Sequence, residues 1–175
     1  MPPSYTQLVP ISELAPGEVA TIRNEIVRGM MAIAMSQLNI GADKIVVRDI
    51  RPKADLDYTY EDWAEVTGTT VNAYETMSTG TMGKDKWMGF YGVKDDSDSV
   101  SCTAIKFNIG GNDRAIWLLQ SLNELDGMVG ICPSGVIIPQ NAPYTISRWV
   151  RSINATTRLV LKGVIVERRG LVVSP

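Results

Sequence analysis

The sequence predicts an all-β protein: an antiparallel β-sandwich, and within that class a single jelly roll of about eight strands with one or two short helices. Three observations predict it. Short runs rich in Val, Ile and aromatic residues recur along the chain, bounded by Gly, Pro, Asp and Asn. They do not alternate with regular helical segments, which disfavours a parallel α/β fold. The Cys–Trp–Cys pattern of an immunoglobulin sandwich is absent. A chain of 175 residues, 45% of them hydrophobic and 21% charged, suits one globular domain spanning 1–175 with a sizeable core.

The first stretch, 1–17, holds Pro2, Pro3, Pro10 and Pro16 and reads as an extended arm. Leu8, Val9, Ile11 and Leu14 are too apolar for a free tail. The arm docks on its own body or on a neighbouring subunit, or it forms a short edge strand. In Glu18–Leu38, Val19, Ile22, Ile26, Met30 and Ile33 recur three and four apart, which predicts helix for part of the segment. Thr21–Arg23 and Glu25–Arg28 also suit a strand. Met30, Met31 and Met35 read as core packing, with a partner- or lipid-facing surface as the sharper reading.

Lys44–Ile50 is a short β-branched strand, stopped by Pro52. Asp55–Trp63 reads as a loop with Trp63 anchored in the core. Thr69–Tyr74 is a strand candidate, and the Thr/Gly/Ser-rich stretch Thr76–Gly83 reads as exposed loop. Trp87–Val93, a charged turn Lys94–Ser99 and Val100–Ile109 form an antiparallel hairpin. In its second strand the apolar phase flips at Ala104-Ile105, which calls for a bulge or for burial of both faces. Beyond Gly110-Gly111, Asn112 or Asp113 can cap a helix reaching Leu125, with Ala115, Leu118, Leu119 and Leu122 on one side.

Val129–Cys132 and Val136–Ile138 are strands interrupted by Pro133-Ser134-Gly135, and Tyr144–Ile153 follows a turn at 140–143. Thr156–Arg168 is the cleanest strand. Leu159, Leu161 and Ile165 share one face. Val160, Lys162, Val164 and Val166 share the other, which is too apolar to face water along a long edge. This strand is expected at the centre of a sheet or at a subunit contact.

Composition excludes several functions. The chain has no histidine, so no His-dependent triad, His-ligated zinc or histidine pH switch is available. The formal charge of −2 disfavours a dedicated nucleic-acid binder, and no direct sequence-specific nucleic-acid binding is expected. The basic pairs Arg148 with Arg151, and Arg168 with Arg169, read as solvated edges and turns. Cys102 and Cys132 form no C-x-x-C and read as buried free thiols. Asn154-Ala155-Thr156 fits a glycosylation sequon, here read as chance, since the N-terminus lacks a signal-peptide pattern.

The remaining motifs fall short of chemistry. Gly80 and Gly83 are not followed by the Gly-Lys-Ser/Thr of a phosphate loop. Asp95, Asp96 and Asp98 start like a calcium loop but lack its glycine and closing glutamate. Ser134 lies beside Gly135 outside a G-x-S-x-G, with no histidine to activate it. No catalytic, metal-binding or cofactor-binding residue is assigned, and no enzyme is expected.

The succession IVVRDIRPKADL, an acidic segment with Trp63, KWMGFYGV, AIKFNIGG, DRAIWLLQSL and RLVLKGVIVE spans roughly Ile45 to Glu167. In layout it is similar to the single jelly-roll major capsid proteins of tailless, icosahedral, membrane-containing bacteriophages. Nearest in size is the smaller major capsid protein of such phages of thermophilic bacteria. The resemblance implies a viral structural protein of the virion capsid, assembled in the host cytoplasm. It implies a homo-oligomer that pairs with a second, larger capsid protein above an internal viral membrane.

Two other classes compete. A carbohydrate- or receptor-binding sandwich, spike-like or lectin-like, would use Tyr58, Tyr60, Trp63, Trp87 and Tyr91 as an aromatic platform. A glycosidase would need a carboxylate pair such as Asp55 with Asp57, or Glu61 with Asp62.

Overall fold

The computed structural model describes residues 2–97, 99–119 and 129–170. Two sheets face each other. Sheet A runs β1 (Ser4–Gln7), β8 (Asn112–Leu118), β7 (Cys102–Ile109), β10 (Pro143–Val150), β5 (Tyr74–Thr81). Sheet B runs β2 (Val9–Pro10), β9 (Val129–Ile138), β6 (Lys86–Asp95), β11 (Thr156–Arg168), β3 (Ile45–Asp49). The strand β4 (Ala64–Thr67) pairs with the first part of β11, while β3 pairs with its last part. Because β6 occupies the other edge of β11, β3 and β4 are two pieces of one interrupted strand. Counted so, β3-β11-β6-β9 faces β5-β10-β7-β8: the first strand lies beside the last, and each later strand crosses to the opposite sheet except at the β7–β8 hairpin. That wrapping is a jelly roll, as the strand count and turn spacing predict.

The core between the sheets is built from Phe90, Phe107 and Trp117, with Met88, Ile105, Ile146, Leu161 and Ile165 around them. Phe107 packs at 5.4 Å from Phe90 and 4.7 Å from Trp117, tilted or edge-on in both cases, the arrangement aromatic quadrupoles favour.

A second apolar cluster lies outside sheet B, under helix α1 (Glu18–Leu38). The whole ambiguous segment is helical. Ile22, Ile26, Met30 and Ala34 recur at four-residue steps and are all buried against Trp87, Ile131, Val164 and Val166. Each larger side chain contributes about 2 kcal/mol of gross burial energy. This explains the two-sided apolar pattern of β11: one face meets sheet A, the other meets α1. Of the two expectations for this strand, the central position holds: β11 lies between β6 and β3. At 21 residues, α1 is also no short helix. A Cβ at Gly89 would lie 2.8 Å from Ile26 Cγ2 and 2.9 Å from Met30 Sδ, so a bare backbone in β6 sets how closely the helix approaches.

The helix expected from Asn112 is corrected. Asn112–Leu118 is strand β8, and the rest of that expectation, at 120–125, lies outside the described residues. Gly110 and Gly111, with φ of 62° and 78°, turn the chain tightly back from β7, and pairing to β7 and β1 satisfies the β8 backbone. The Thr69–Tyr74 strand is also corrected: the strand lies later, at Tyr74–Thr81, in the stretch read as loop. The amides of Thr69 and Thr70 instead donate to the Glu75 carboxylate, at 2.9 and 2.6 Å. The phase flip in β7 is a bulge, because Arg148 pairs Ile105 while Val150 pairs Cys102.

The arm docks on its own body as edge strands. β1 pairs in parallel with β8, the one parallel pairing among the described residues, and β2 pairs with β9 of the other sheet. Leu8, at the crossing, is buried in the main core. On the opposite side, the break between β3 and β4 carries the short helix α2 (Pro52–Leu56). Leu56 and Tyr58 enter the core there, and the Leu56 carbonyl accepts a hydrogen bond from the Ser78 hydroxyl of β5 at 3.1 Å.

Candidate functional site

Of the carboxylates considered for catalysis, Asp55 is committed to the fold. Arg48 of β3 donates a two-pronged hydrogen bond to Asp55, both contacts at 2.7 Å, and a third to Glu167 at 2.7 Å. Asp55 also accepts from the Arg51 amide at 2.8 Å and from Lys86 Nζ at 3.0 Å. Burial opposes ionisation of Asp55, but the Arg48 fork, the Arg51 amide and Lys86 outweigh it and hold its pKa at about 2. An acid with that pKa is a poor proton donor near neutrality. Asp57, its proposed partner, is exposed, and Glu61 pairs with Lys53 at 3.4 Å beside an exposed Asp62.

Arg148 is a correction. It was expected at a solvated edge, yet it is fully buried between the sheets. Its guanidinium donates to the Thr157 hydroxyl and to Glu75 at 3.3 Å, and Thr157 in turn bonds Ser101 at 2.6 Å. Glu75 is drawn down to about 2, foremost by the Thr69 hydroxyl and then by the Thr69 and Thr70 amides. Arg151, Arg168 and Arg169 are exposed, as expected.

Ser134 is exposed, and its hydroxyl lies 3.5 Å from Cys132 Sγ. Cys102 and Cys132 are buried thiols, and burial pushes the Cys102 thiol up to about 12. Asp95 accepts from the Ser97 amide and Asp96 pairs with Lys94, while Asp98 lies outside the described residues. Among the described residues no group of three His, Cys, Asp or Glu side chains could hold a metal ion.

The five-aromatic platform is not assembled. Tyr58 lies in the core, Trp87 under α1, and Tyr91 is half-buried among the residues packed with α1. Only Tyr60 and Trp63 come together, stacked at 5.1 Å and 26°. Trp63 is half-buried there, with its Nε1–H reaching Glu65 at 3.4 Å, and is not the core anchor expected. Of the methionines, Met30 is buried, Met31 half-buried and Met35 exposed.

The outer face of sheet A is a further arrangement that faces out. The strand register places Thr79, Thr145, Asn108 and Asp113 in one row across it, and Thr76, Ser147, Lys106, Ile116 and Tyr5 in the next. Ala104 and Ile116 are buried in this surface, outside both core clusters, with Leu118 and Tyr5 exposed beside them. Trp149 meets Tyr74 edge-on at 5.0 Å, and Lys106 Nζ sits 4.3 Å over the Tyr74 ring while pairing with Asp113 at 3.4 Å. Asn108 donates to the same carboxylate at 2.8 Å. Among the described residues no helix covers this face as α1 covers sheet B. An apolar centre ringed by paired polar groups is the composition of a docking surface. Sequence reading missed it because β8 was taken for a helix; the Gly-Gly pair was the available signal.

By fold the chain is a jelly-roll β-sandwich with a helix sealing one sheet. No known family model matches it, and no curated protein matches it. No described helix is long and apolar enough to cross a membrane.

Proposed function

We propose that this chain is a viral structural protein, a major capsid subunit that builds an icosahedral shell by self-association and by pairing with a second, larger capsid protein. The observation that carries this reading is the contrast between the two outer sheet faces. One is sealed by α1; the other exposes Tyr5 and Leu118, with Trp149 half-buried, within a polar rim. A shell subunit needs a rigid body and faces that are covered only on assembly. A near-neutral charge suits crowded copies. The chemistry of the interior agrees, since Asp55, Glu167 and Arg148 serve the fold. The resemblance in layout adds the virion, the bacteriophage host and contact with an internal membrane.

Light scattering across concentration and salt, with negative-stain imaging, tests the proposal. Dimers, hexamers or sheets that dissociate in Leu118→Asp support it. A strict monomer, both alone and with co-expressed candidate shell proteins, overturns it.

The stacked Tyr60–Trp63 pair favours a second reading, a carbohydrate- or receptor-binding module, because an exposed aromatic face suits sugar stacking. Glycan binding lost in Tyr60→Ala with unchanged unfolding would select that reading instead.

A further inference from the structure

On the side of the sandwich closed by the arm, a cleft of about 400 Å³ opens between β1, β8 and β9. Its volume lies in the range of small-ligand sites. Both longer strands leave regular pairing there. On β8, Ala115 pairs Phe107 while Asp113 pairs Asn108, so Arg114 is the extra residue of a bulge. Asp113 bonds Lys106 and Asn108 on the outer face, and Ala115 belongs to the core. The bulge therefore re-aims Arg114 from the outer face into the cleft that it lines. On β9, Val136 pairs Phe90 while Ile131 pairs Gly92, so Cys132-Pro133-Ser134-Gly135 bows out opposite Tyr91 alone. Gly135 takes a φ of 60°, and a Cβ there would lie 2.5 Å from Ile26 Cδ1. The bow brings Ser134 to the cleft wall.

The lining has a direction of charge. Among the described residues, Arg114 is exposed and forms no ion pair, and no carboxylate lines the cleft. Ser4, Thr6 and Ser134 add hydroxyls, and Val136 supplies apolar wall. Trp117 lines it too; its indole N–H is buried and finds no acceptor among the described residues. A buried donor without a partner costs about 1–3 kcal/mol, which an acceptor brought by a ligand would recover.

We propose that this cleft binds a small amphipathic anion, an alkyl carboxylate in chemistry. The carboxylate pairs with Arg114 and accepts from the Trp117 indole N–H, and the alkyl body lies along Val136. This site is independent of the shell reading, because it lies at the sheet edge and needs one copy of the chain.

The probe is octanoate, titrated into the ¹⁵N-labelled protein. The four tryptophans give four indole N–H signals, and that of Trp117 is read together with the Arg114 side-chain signal. Saturable binding that moves both, weakens about tenfold in Arg114→Gln and is blocked in Ser134→Tyr supports the site. Overturning results are no saturation up to about 10 mM octanoate, equal affinity in Arg114→Gln, octan-1-ol binding as tightly as octanoate, or shifts confined to Trp63 and Trp149.

Discussion

The two sheets treat their outer faces in opposite ways. Sheet B buries both faces, one against sheet A and the other under α1, and from β3 Arg48 grips the Asp55 and Glu167 side chains, which are 1% and 3% exposed. Sheet A buries one face, with Arg148 inside it, and leaves the other open, with Lys106 and Asp113 paired there. A glycine-bearing strand under a long helix makes a rigid layer. A sheet with an apolar centre and a polar rim leaves a surface for something else. Mutations in the two layers should therefore read out differently, one on folding and the other on association.

The largest expected effect is Met30→Ala, which empties a fully buried site between α1 and sheet B. It should cost about 3 kcal/mol in urea unfolding, with unchanged slope. A loss below about 1 kcal/mol would mean that α1 is only loosely seated.

Next comes acid. Asp55 ionises at about 2 in the folded chain against an ordinary 3.8, so the unfolded state binds more protons. The resulting stability is present above pH about 4 and is lost as pH falls through about 2, amounting to about 2 kcal/mol. Asp55→Asn should flatten that part of the pH profile and lower stability at neutral pH. A wild-type slope in the variant would assign the dependence to other groups.

Gly89→Ala should cost about 1–2 kcal/mol, as Ile26 and Met30 give way to the added methyl. Leu118→Ala on the open face should stay within about 0.5 kcal/mol of wild type in urea unfolding at low protein concentration. If it destabilises the isolated chain as much as Met30→Ala does, sheet A is covered after all and the contrast fails.

Much of the fold was legible because burial writes itself into period. Thr156–Arg168 alternates on both faces and was read to its ends as β11. The four-residue steps of Ile22, Ile26 and Met30 announce α1, although β-branched residues such as Ile26 and Val27 also suit a strand. Ala115 and Leu118 share helical spacing by accident. In β8 Ala115 faces the core and Leu118 the outside, so a strand with two apolar faces imitates a helix. Arg148 was illegible in principle, since Glu75 lies 73 residues away and Thr157, nine residues on, belongs to the opposite sheet and meets it only when the sheets close. The open face and the cleft share that limit, because register and bulges are properties of strand pairing.

The arm and α2 have a mechanical consequence. One joins the β8 edge of sheet A to the β9 edge of sheet B; the other ties β3 to β5 across the opposite gap. Sliding one sheet over the other therefore loads the backbone of the arm on one side and the Ser78–Leu56 hydrogen bond with its packing on the other, with Leu8 and Leu56 as the pins. Under a pulling force the sandwich should resist shear as a stapled box does and yield first by peeling of the short β1 and β2, before any core strand moves.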